Sequence, residues 1–181
     1  LIFRDGIAVV SRDDVNGKDL VPELVVAARA EEMRYFKKLG VYDVVPRWHQ
    51  QTTGGKLIGT RWVDTNKGDA ENPDCRSRLV GQEFNIGKDD TLYASTPPLE
   101  ALRYVVSRAG TWGTDGSRRC IMINDVRRAY FYAKATRDLY IELPAEDPAK
   151  AAGMIGKLKL CLYGTRDAAK SWQETLSAHL V

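Results

Sequence analysis

Two strand-like runs separated by a turn-rich segment constrain the fold of this chain more than any other feature. The runs span residues 56–65 and 76–84, and the residues between them are rich in Gly, Asp, Asn and Pro. Turn-forming residues between two β-type runs predict an antiparallel hairpin with a long tip. A hairpin over residues 56–84 is therefore the first structural element that the sequence predicts.

Three basic residues belong to this hairpin. Lys67 falls at the predicted tip, and Arg76 and Arg78 follow on the returning strand. Residues two apart point to the same side of a strand, so both guanidinium groups are expected on one face. They are either charges on a solvent-exposed face or part of a flexible basic finger that binds a triphosphate.

The remaining periodic segments predict both helices and strands. Pro22 in a first turn and Gly40 after the last turn predict a helix over Pro22–Leu39. A second helix is expected over residues 98–112. Its inward-facing side chains would be Leu99, Leu102, Val105 and Val106. The other predicted elements are strands at 41–45, 121–123, 139–143 and 157–162, a polar loop at 48–55 with a solvent-facing His49, a short helix at 126–133 and a final helix at 166–181.

Three apolar residues at 121–123 predict a short buried strand that ends close to Asp125. Architectures with α/β connections place ligand groups at the carboxyl ends of strands. Asp125 has two interpretations, and its local sequence leaves both open. It is either a helix N-cap, which accepts hydrogen bonds from free backbone N–H groups, or a metal ligand.

Positive charge is concentrated around Asp125. Residues 101–137 carry eight basic side chains and two acidic ones, Asp115 and Asp125. The basic residues are Arg103, Arg108, Arg118, Arg119, Arg127, Arg128, Lys134 and Arg137. Such a cluster is either a solvated face or a binding surface for a polyanion, because Lys and Arg gain free energy by displacing counterions from phosphates.

Length, cysteine content and hydropathy exclude several classes of protein. A chain of 181 residues, 44% of them hydrophobic, suits one folded domain or part of a larger protein rather than a disordered segment. Three widely spaced cysteines and two histidines form no zinc motif and predict reduced thiols in a reducing, intracellular compartment. No apolar run approaches the roughly 20 residues that span a bilayer, so no membrane association is expected.

Several blocks, in order along the chain, resemble one family of enzymes. Asp125 is followed four and five residues later by Ala129 and Tyr130, as in the first carboxylate motif of reverse transcriptases. Before it come Lys-Leu-Gly-Val-Tyr-Asp-Val-Val-Pro at 38–46, Ile-Gly-Thr-Arg-Trp-Val at 58–63, Arg-Ser-Arg-Leu-Val at 76–80 and the segment 91–103. After it come Leu-Tyr-Ile-Glu-Leu-Pro at 139–144 and Leu-Lys-Leu-Cys-Leu-Tyr-Gly at 158–164. Over residues 28–181 the chain thus resembles copia-type LTR-retrotransposon reverse transcriptases.

The resemblance implies an α+β fold, that of an incomplete right-hand polymerase. Residues 1–21 would be an N-terminal extension, and residues 22–120 would form the fingers region around the hairpin. Residues 121–181 would form the front part of a ferredoxin-like palm, an antiparallel sheet with helices on one face. A chain that begins with Leu and ends within a predicted helix is expected to be a fragment of a longer polyprotein.

The implied activity is RNA-directed DNA polymerisation by two-metal nucleotidyl transfer, with two Mg²⁺ ions that Mn²⁺ could replace. Asp125 would bridge the ions, the Val126 carbonyl would complete a ligand position, and Tyr130 would exclude a ribose 2′-hydroxyl. Triphosphate contacts would come from Lys67, Arg76, Arg78, Arg127 and Arg128. Template or primer contacts would come from Gly164, Arg166 and Trp172. The implied partners are a template–primer, a deoxynucleoside triphosphate and the rest of the polyprotein, with the remaining palm, the thumb and RNase H.

Two departures from the family pattern bear on activity. Asp167 stands where the family usually has Gln, and an ionised carboxylate accepts hydrogen bonds but repels phosphate. No Tyr-x-Asp-Asp motif follows Asp125, and Asp-Asp pairs occur only at 13–14 and 89–90. One carboxylate cannot hold two Mg²⁺ ions, so we expect the chain alone to be inactive as a polymerase.

Two other interpretations of the same residues stay open. The chain is a non-catalytic nucleic-acid-binding remnant if its arginine-rich zone holds a strand while Tyr130, Phe131 and Tyr132 stack on bases. Asp125 would then be only a helix cap. The chain is a purely structural fragment if its sheet lacks the strands that should follow, because an unpaired strand edge promotes aggregation.

Overall fold

A computed structural model describes residues 2–4, 7–9, 11–84, 87, 92, 94 and 96–180, with the backbone alone at 2–4 and 7–9. Helices and strands both occur in this part of the chain, which confirms the α+β class. The helices are α1 (Pro22–Leu39), α2 (Arg47–Thr53), α3 (Leu99–Ala109) and α4 (Ala168–Leu180). The strands are β1 (Ile2–Arg4), β2 (Ile7–Val9), β3 (Tyr42–Val45), β4 (Lys56–Ile58), β5 (Thr60–Asn66), β6 (Cys75–Gly81), β7 (Leu139–Glu142) and β8 (Ile155–Leu158). Short 3₁₀ helices span Ala129–Tyr132 and Pro148–Lys150.

The largest sheet has four strands in the order β3–β8–β7–β4. Strand β8 pairs antiparallel with both β3 and β7, whereas β4 pairs parallel with β7. The predicted wholly antiparallel sheet is therefore wrong, and the sheet is mixed. Parallel pairing needs a long crossover between the two strands, and residues 59–138 provide it. Two strands precede residue 120 and two follow it, so the two predicted regions share one sheet.

The hairpin β5–β6 forms a sheet of its own, which confirms the predicted antiparallel hairpin. Its pairs run from Thr60 opposite Gly81 to Asn66 opposite Cys75. The predicted extent of the first strand is wrong, because residues 56–58 join the central sheet instead. The sequence of 56–65 is strand-like throughout, and strand propensity does not reveal that its two parts have different partners.

Helix α1 has the predicted bounds, Pro22–Leu39. Pro22 suits the first turn because the N–H that it lacks would have no partner in the helix. Gly40 ends the helix in the left-handed region at φ 63°, a conformation that glycine adopts without strain. The helix buries Met33 and Phe36 in the main core.

The main core joins α1, the hairpin and the central sheet. Phe36 of α1 meets Phe131 of the first 3₁₀ helix edge to face, with ring centroids 4.9 Å apart. Leu79 of β6 packs in the same core, so the hairpin is anchored through its returning strand. The buried members of this core are Met33, Phe36, Val41, Ile58, Leu79, Phe131, Leu139, Ile141, Leu158 and Leu162. This shared core fixes the hairpin beside the segment that carries Asp125.

The predicted buried strand at 121–123 is wrong. These residues form no regular structure, and the side chains of Met122 and Ile123 are 80% and 89% exposed. An extended segment is stabilised by pairing with a neighbouring strand, and no described strand pairs with this one. Asp125 is therefore carried by an irregular exposed segment rather than by a strand end.

The helix predicted at 98–112 forms as α3, but its predicted inward face is wrong. No residue of α3 is buried in the described structure. The four apolar side chains that were expected to face inward, each about half exposed, are Leu99, Leu102, Val105 and Val106. The spacing of apolar residues predicts an amphipathic helix, but it does not identify what covers the apolar stripe.

The loop predicted at 48–55 is largely helix α2, which is capped by Gly54 in the left-handed region. His49 lies in this helix and is half-buried rather than solvent-facing. Its Nδ1 lies 2.9 Å from the hydroxyl of the buried Tyr140, to which Thr53 also bonds at 2.8 Å. Two polar side chains of this helix therefore contact a buried hydroxyl group rather than solvent alone.

Other elements keep their predicted type with shifted bounds. The predicted strand at 157–162 is Ile155–Leu158, the predicted helix at 166–181 is Ala168–Leu180, and the predicted helix at 126–133 is the shorter 3₁₀ turn Ala129–Tyr132. The described cysteines are all free thiols. None of the helices in the described part of the chain is long and apolar enough to cross a membrane.

A matched pair of substitutions tests which apolar residues hold this fold together. Ile141 is fully buried in the central sheet, whereas Ile123 is exposed. We expect Ile141→Ala to lower the free energy of unfolding by about 2–5 kcal/mol, because it removes buried contacts and leaves a cavity. Ile123→Ala should change it by about 0.5 kcal/mol or less. Urea unfolding followed by circular dichroism measures both values, and equal losses would contradict the structure.

Candidate functional site

A pocket of about 570 Å³ lies where α1, the returning hairpin strand β6 and residues 125–128 meet. Four arginines and four carboxylates line it: Arg76, Arg78, Arg127, Arg128, Glu31, Glu32, Asp74 and Asp125. The other lining residues are Ala28, Cys75, Ser77, Val126 and Tyr163. Its surface is therefore dominated by groups that bind charged or strongly polar ligands.

Six residues that the sequence analysis assigned to nucleotide or metal binding meet in this pocket. Arg76 and Arg78 are exposed on β6 and alternate with buried side chains, which confirms that they share one face of the hairpin. The other four are consecutive, from Asp125 to Arg128. Because Leu79 of β6 and Phe131 pack in one core, these two distant segments lie side by side.

Two of the pocket arginines have no carboxylate partner among the described residues. Arg76 lies 3.4 Å from Asp74 in an exposed ion pair, which contributes little to stability. Arg78 and Arg127 form no ion pair with any described residue, although the guanidinium group of Arg78 stacks 5.4 Å from the centre of the Tyr163 ring. The arginines and carboxylates of the pocket are equal in number. A ligand anion can nevertheless reach the guanidinium groups of Arg78 and Arg127 without displacing a carboxylate.

Arg128 is held more firmly than the other three arginines. Its backbone is left-handed at φ 54°, and no other non-glycine residue of the described ranges has a positive φ. Its Nε donates to Glu32 Oε2 at 2.8 Å, and its guanidinium carbon lies 3.6 Å from the centre of the Tyr35 ring. A charge-assisted hydrogen bond and a stacking contact together fix the plane of the guanidinium group.

Glu32 is a buried acidic residue on the inward side of α1. Its side chain is only 2% exposed, and burial raises the pKa of the carboxyl, against the opposing effects of the bond from Arg128 and the charge of Arg78. Its second oxygen, Oε1, is buried and has no hydrogen-bond partner among the described residues. Leaving a buried polar atom unpaired costs free energy, so this carboxylate destabilises the fold locally.

The ring of Tyr130 lies one layer behind the pocket. Tyr130 is not a lining residue, but its ring packs against Tyr163 with centroids 4.9 Å apart, and Tyr163 does line the pocket. The half-buried Tyr130 also packs against a small core cluster that contains Ala133 and Cys161. Tyr130 therefore reaches the pocket through Tyr163 rather than directly.

Lys67 and Trp172 lie outside the pocket. Lys67 is exposed at the hairpin tip, where its backbone N–H donates to the Asp74 carbonyl. Trp172 is half-buried on α4 and packs against the cluster of Ala133, Cys161 and Ala168. Trp172 therefore has a packing role, and Lys67 lies exposed at the hairpin tip.

Gly164 and Arg166 join the hairpin to the loop before α4. Gly164 is left-handed at φ 81°, and a Cβ at this position would collide with the carbonyl oxygen of Gly81 in β6. The close approach that this glycine permits is thus made by protein backbone, since the Gly81 N–H donates to the Tyr163 carbonyl at 2.7 Å. The backbone N–H of Arg166 donates to Glu83 at 2.9 Å.

Asp167, which departs from the family pattern, belongs to a buried ion-pair network. Arg137 donates to Asp167 at 2.7 Å and to both carboxylate oxygens of Glu83 at 2.9 Å. Lys56 also contacts Glu83, at 3.2 Å. A carboxylate at position 167 is therefore explained by the cation beside it, and Asp167 does not line the pocket.

The two-Mg²⁺ site that the resemblance implies does not fit the described residues by themselves. No three His, Cys, Asp or Glu side chains in this part of the chain gather where they could hold a metal ion. The carboxylates of Asp13 and Asp14 accept from the backbone N–H groups of Asn66 and Asp64 in the hairpin, and neither lines the pocket. The pair at 89–90 lies outside the described residues.

Sequence reasoning missed Glu32 and Tyr163 as pocket residues. Glu32 carried a usable signal, because it lies four residues before Phe36 and seven after Val25, on the buried stripe of α1. An acidic residue on such a stripe needs a buried cation as its partner. Tyr163 carried no local signal, because its contact with Arg78 joins segments that are distant in the sequence.

Comparison with known proteins gives no family for this chain. No protein-family model matches it, and no curated protein or solved structure does so. A function is therefore inferred from the pocket and from the spacing of the motifs.

The Glu83 network predicts a defined loss of stability in acid. Burial alone would raise the pKa of Glu83, but hydrogen bonds from Arg137, the Arg166 amide and Lys56 lower it to about 2 from 4.5. A carboxyl with a depressed folded pKa stabilises the fold above its unfolded pKa and loses that contribution as the pH falls through the folded value. The stability advantage of the wild type over Glu83→Gln should therefore disappear between pH 4.5 and about 2.

Urea midpoints measured across this pH range test the expectation. Glu71→Gln, at the exposed tip of the hairpin, is the control because it removes the same kind of charge away from the network. An advantage of wild type over Glu83→Gln that persists unchanged in strong acid would show that the network is not a source of stability.

Proposed function

We propose that the pocket binds the triphosphate of an incoming deoxynucleotide, in the fingers and front palm of a copia-type RNA-directed DNA polymerase. The observation that carries this proposal is the meeting of Arg76 and Arg78 with residues 125–128 around one pocket. The hairpin and the carboxylate motif are separate features of the sequence. Their convergence on one pocket is what a shared ligand requires.

The exposed donors of the pocket suit a polyphosphate. Each guanidinium group presents N–H donors in a planar fork that matches phosphate oxygens. Arg78 and Arg127 have no carboxylate partner among the described residues, and Arg128 uses only its Nε to bind Glu32. A triphosphate can therefore be bound by these three side chains without separating an existing ion pair.

Nucleotidyl transfer also uses divalent cations, which promote attack by the 3′-hydroxyl and neutralise the leaving pyrophosphate. Asp125 and the Val126 carbonyl are the implied ligands that line the pocket. A second carboxylate motif would have to come from outside the described residues. To this chain's own residues we assign the binding and orientation of the triphosphate, with template–primer and the remaining polyprotein as partners of the complete enzyme.

A second function, non-catalytic binding of nucleic acid, is favoured by aromatic side chains exposed beside arginines. Trp112 is 65% exposed, with the Arg118 guanidinium carbon 5.2 Å from its ring centre, and Tyr132 is also exposed. Exposed rings that stack on bases, together with cations that contact phosphates, bind single strands without sequence preference. In this alternative Asp125 takes no part in chemistry.

Nucleotide binding is tested with a labelled deoxynucleoside triphosphate. We expect the wild-type chain to bind it and Arg78→Ala to weaken binding about tenfold, because a hydrogen bond between charged groups is lost. Arg61→Ala is the matched control, since it lies on the other strand of the hairpin, outside the pocket, and pairs with Asp14 at 3.1 Å. Equal losses for both variants, or no binding by the wild type, would contradict the proposal.

Primer extension separates the two functions. With Mg²⁺, the chain alone should bind a template–primer without extending it, and a longer product of its reading frame that carries a Tyr-x-Asp-Asp motif should extend it. Asp125→Asn should abolish that extension and leave salt-sensitive binding intact. Extension that survives Asp125→Asn would rule out the polymerase, and binding without extension by the longer product would support the second function.

A further inference from the structure

We propose that Glu32 is a positioning residue, which holds the Arg128 guanidinium group so that its two terminal nitrogens stay available to a phosphate in the pocket. The inference rests on the proposed function, because it gives Arg128 a purpose only if the pocket binds a polyphosphate. It adds a residue of α1 to a site that the hairpin and the carboxylate motif otherwise define.

Only one of the five N–H donors of the Arg128 guanidinium group has a partner among the described residues. Its Nε donates to Glu32 Oε2 at 2.8 Å, and among the described residues neither terminal nitrogen donates a hydrogen bond. Nη2 lies 3.9 Å from Glu31 Oε1, which is beyond hydrogen-bond range. Arg128 is thus anchored at one end and unsatisfied at the other.

The carboxylate shows the same one-sided arrangement. Glu32 Oε1 is buried without a hydrogen-bond partner in the part of the chain that the structure describes, although a bidentate pair with Arg128 would satisfy both oxygens and two guanidinium nitrogens. The structure adopts the weaker, single-bonded pair and keeps the terminal nitrogens out of it. A pair that served stability alone would gain from closing the second bond, because a buried ion pair offsets its desolvation only when its remaining atoms are bonded.

A ring contact and the backbone conformation further restrict the Arg128 side chain, which suits ligand binding. The Tyr35 ring packs against the guanidinium plane, and the left-handed backbone fixes where the side chain leaves the chain. The Arg128 side chain is 24% exposed, compared with 62% for Arg76 on the hairpin. A restricted donor loses less conformational entropy when a phosphate binds, so Arg128 is the preorganised member of the pocket.

A simple electrostatic role for Glu32 predicts the opposite effect on binding. A carboxylate in the pocket repels an anion, so removal of its charge should strengthen polyphosphate binding. Glu31 provides the matched comparison, because it is the preceding residue, lines the same pocket and is 55% exposed. If charge alone matters, substitutions at Glu31 and Glu32 should change affinity in the same direction.

The experiment is calorimetric titration of the chain with inorganic tripolyphosphate in metal-free buffer. Glu32→Met keeps the approximate volume and removes the acceptor for Arg128, and we expect it to weaken binding about tenfold. Glu32→Gln keeps an acceptor but loses the charge, and it should bind within about twofold of wild type. Glu31→Met should bind as tightly as wild type or more tightly. Circular dichroism checks that each variant is folded.

A second background keeps the result independent of general damage to the fold. In Arg128→Ala, the further change Glu32→Met should no longer weaken binding, because there is no guanidinium group left to position. Equal weakening by Glu32→Met with and without Arg128 would overturn the inference, as would tighter binding by both Glu32 variants. If the wild type binds no tripolyphosphate, the proposed function fails with it. If Arg78→Ala weakens binding and Glu32→Met does not, only the positioning role fails.

Discussion

Parallel pairing of β4 with β7 is the constraint on which the arrangement of this molecule depends. The two strands lie side by side from Lys56 opposite Leu139 to Ile58 opposite Ile141, so the intervening chain must leave the sheet and return to it. The hairpin and residues 125–128 both lie within that crossover. Closing so long a loop costs conformational entropy, which burial of Leu79 and Phe131 in the shared core helps to offset. The pocket is a consequence of this closure.

The sequence correctly predicted the elements that depend mainly on neighbouring residues, such as caps and turns. Pro22 and Gly40 fixed both ends of α1, and the turn-rich residues before Cys75 fixed the hairpin. The errors over residues 56–58 and 121–123 concern partners that lie far away in the sequence. Residues 56–58 have strand character but pair with β7, and residues 121–123 are apolar but find no partner among the described strands. Strand propensity and hydrophobicity are properties of a residue, whereas pairing and burial depend on what meets it.

The pocket residues likewise include some that the sequence predicts and some that it does not. A motif spacing identified Asp125 and its neighbours, and two-residue periodicity identified the shared face of Arg76 and Arg78. No spacing rule links α1 to Arg128, so Glu32 could be recognised only as an acidic residue on a buried stripe. Gly164 shows the converse case, because its conformational freedom serves a backbone contact with Gly81 rather than a ligand. The type of a residue thus predicted its chemistry better than it predicted which partner the residue would contact.

The central claim is that the hairpin arginines and the segment after Asp125 bind one polyphosphate together. Nuclear magnetic resonance reports this directly, through the Nε–Hε signals of individual arginines during titration with tripolyphosphate. The account predicts saturable shifts with one common dissociation constant for Arg78, Arg127 and Arg128, and little change for Arg61 outside the pocket. Weak, unsaturated shifts of similar size at all arginines, or separate affinities for the hairpin and for residues 127–128, would contradict it.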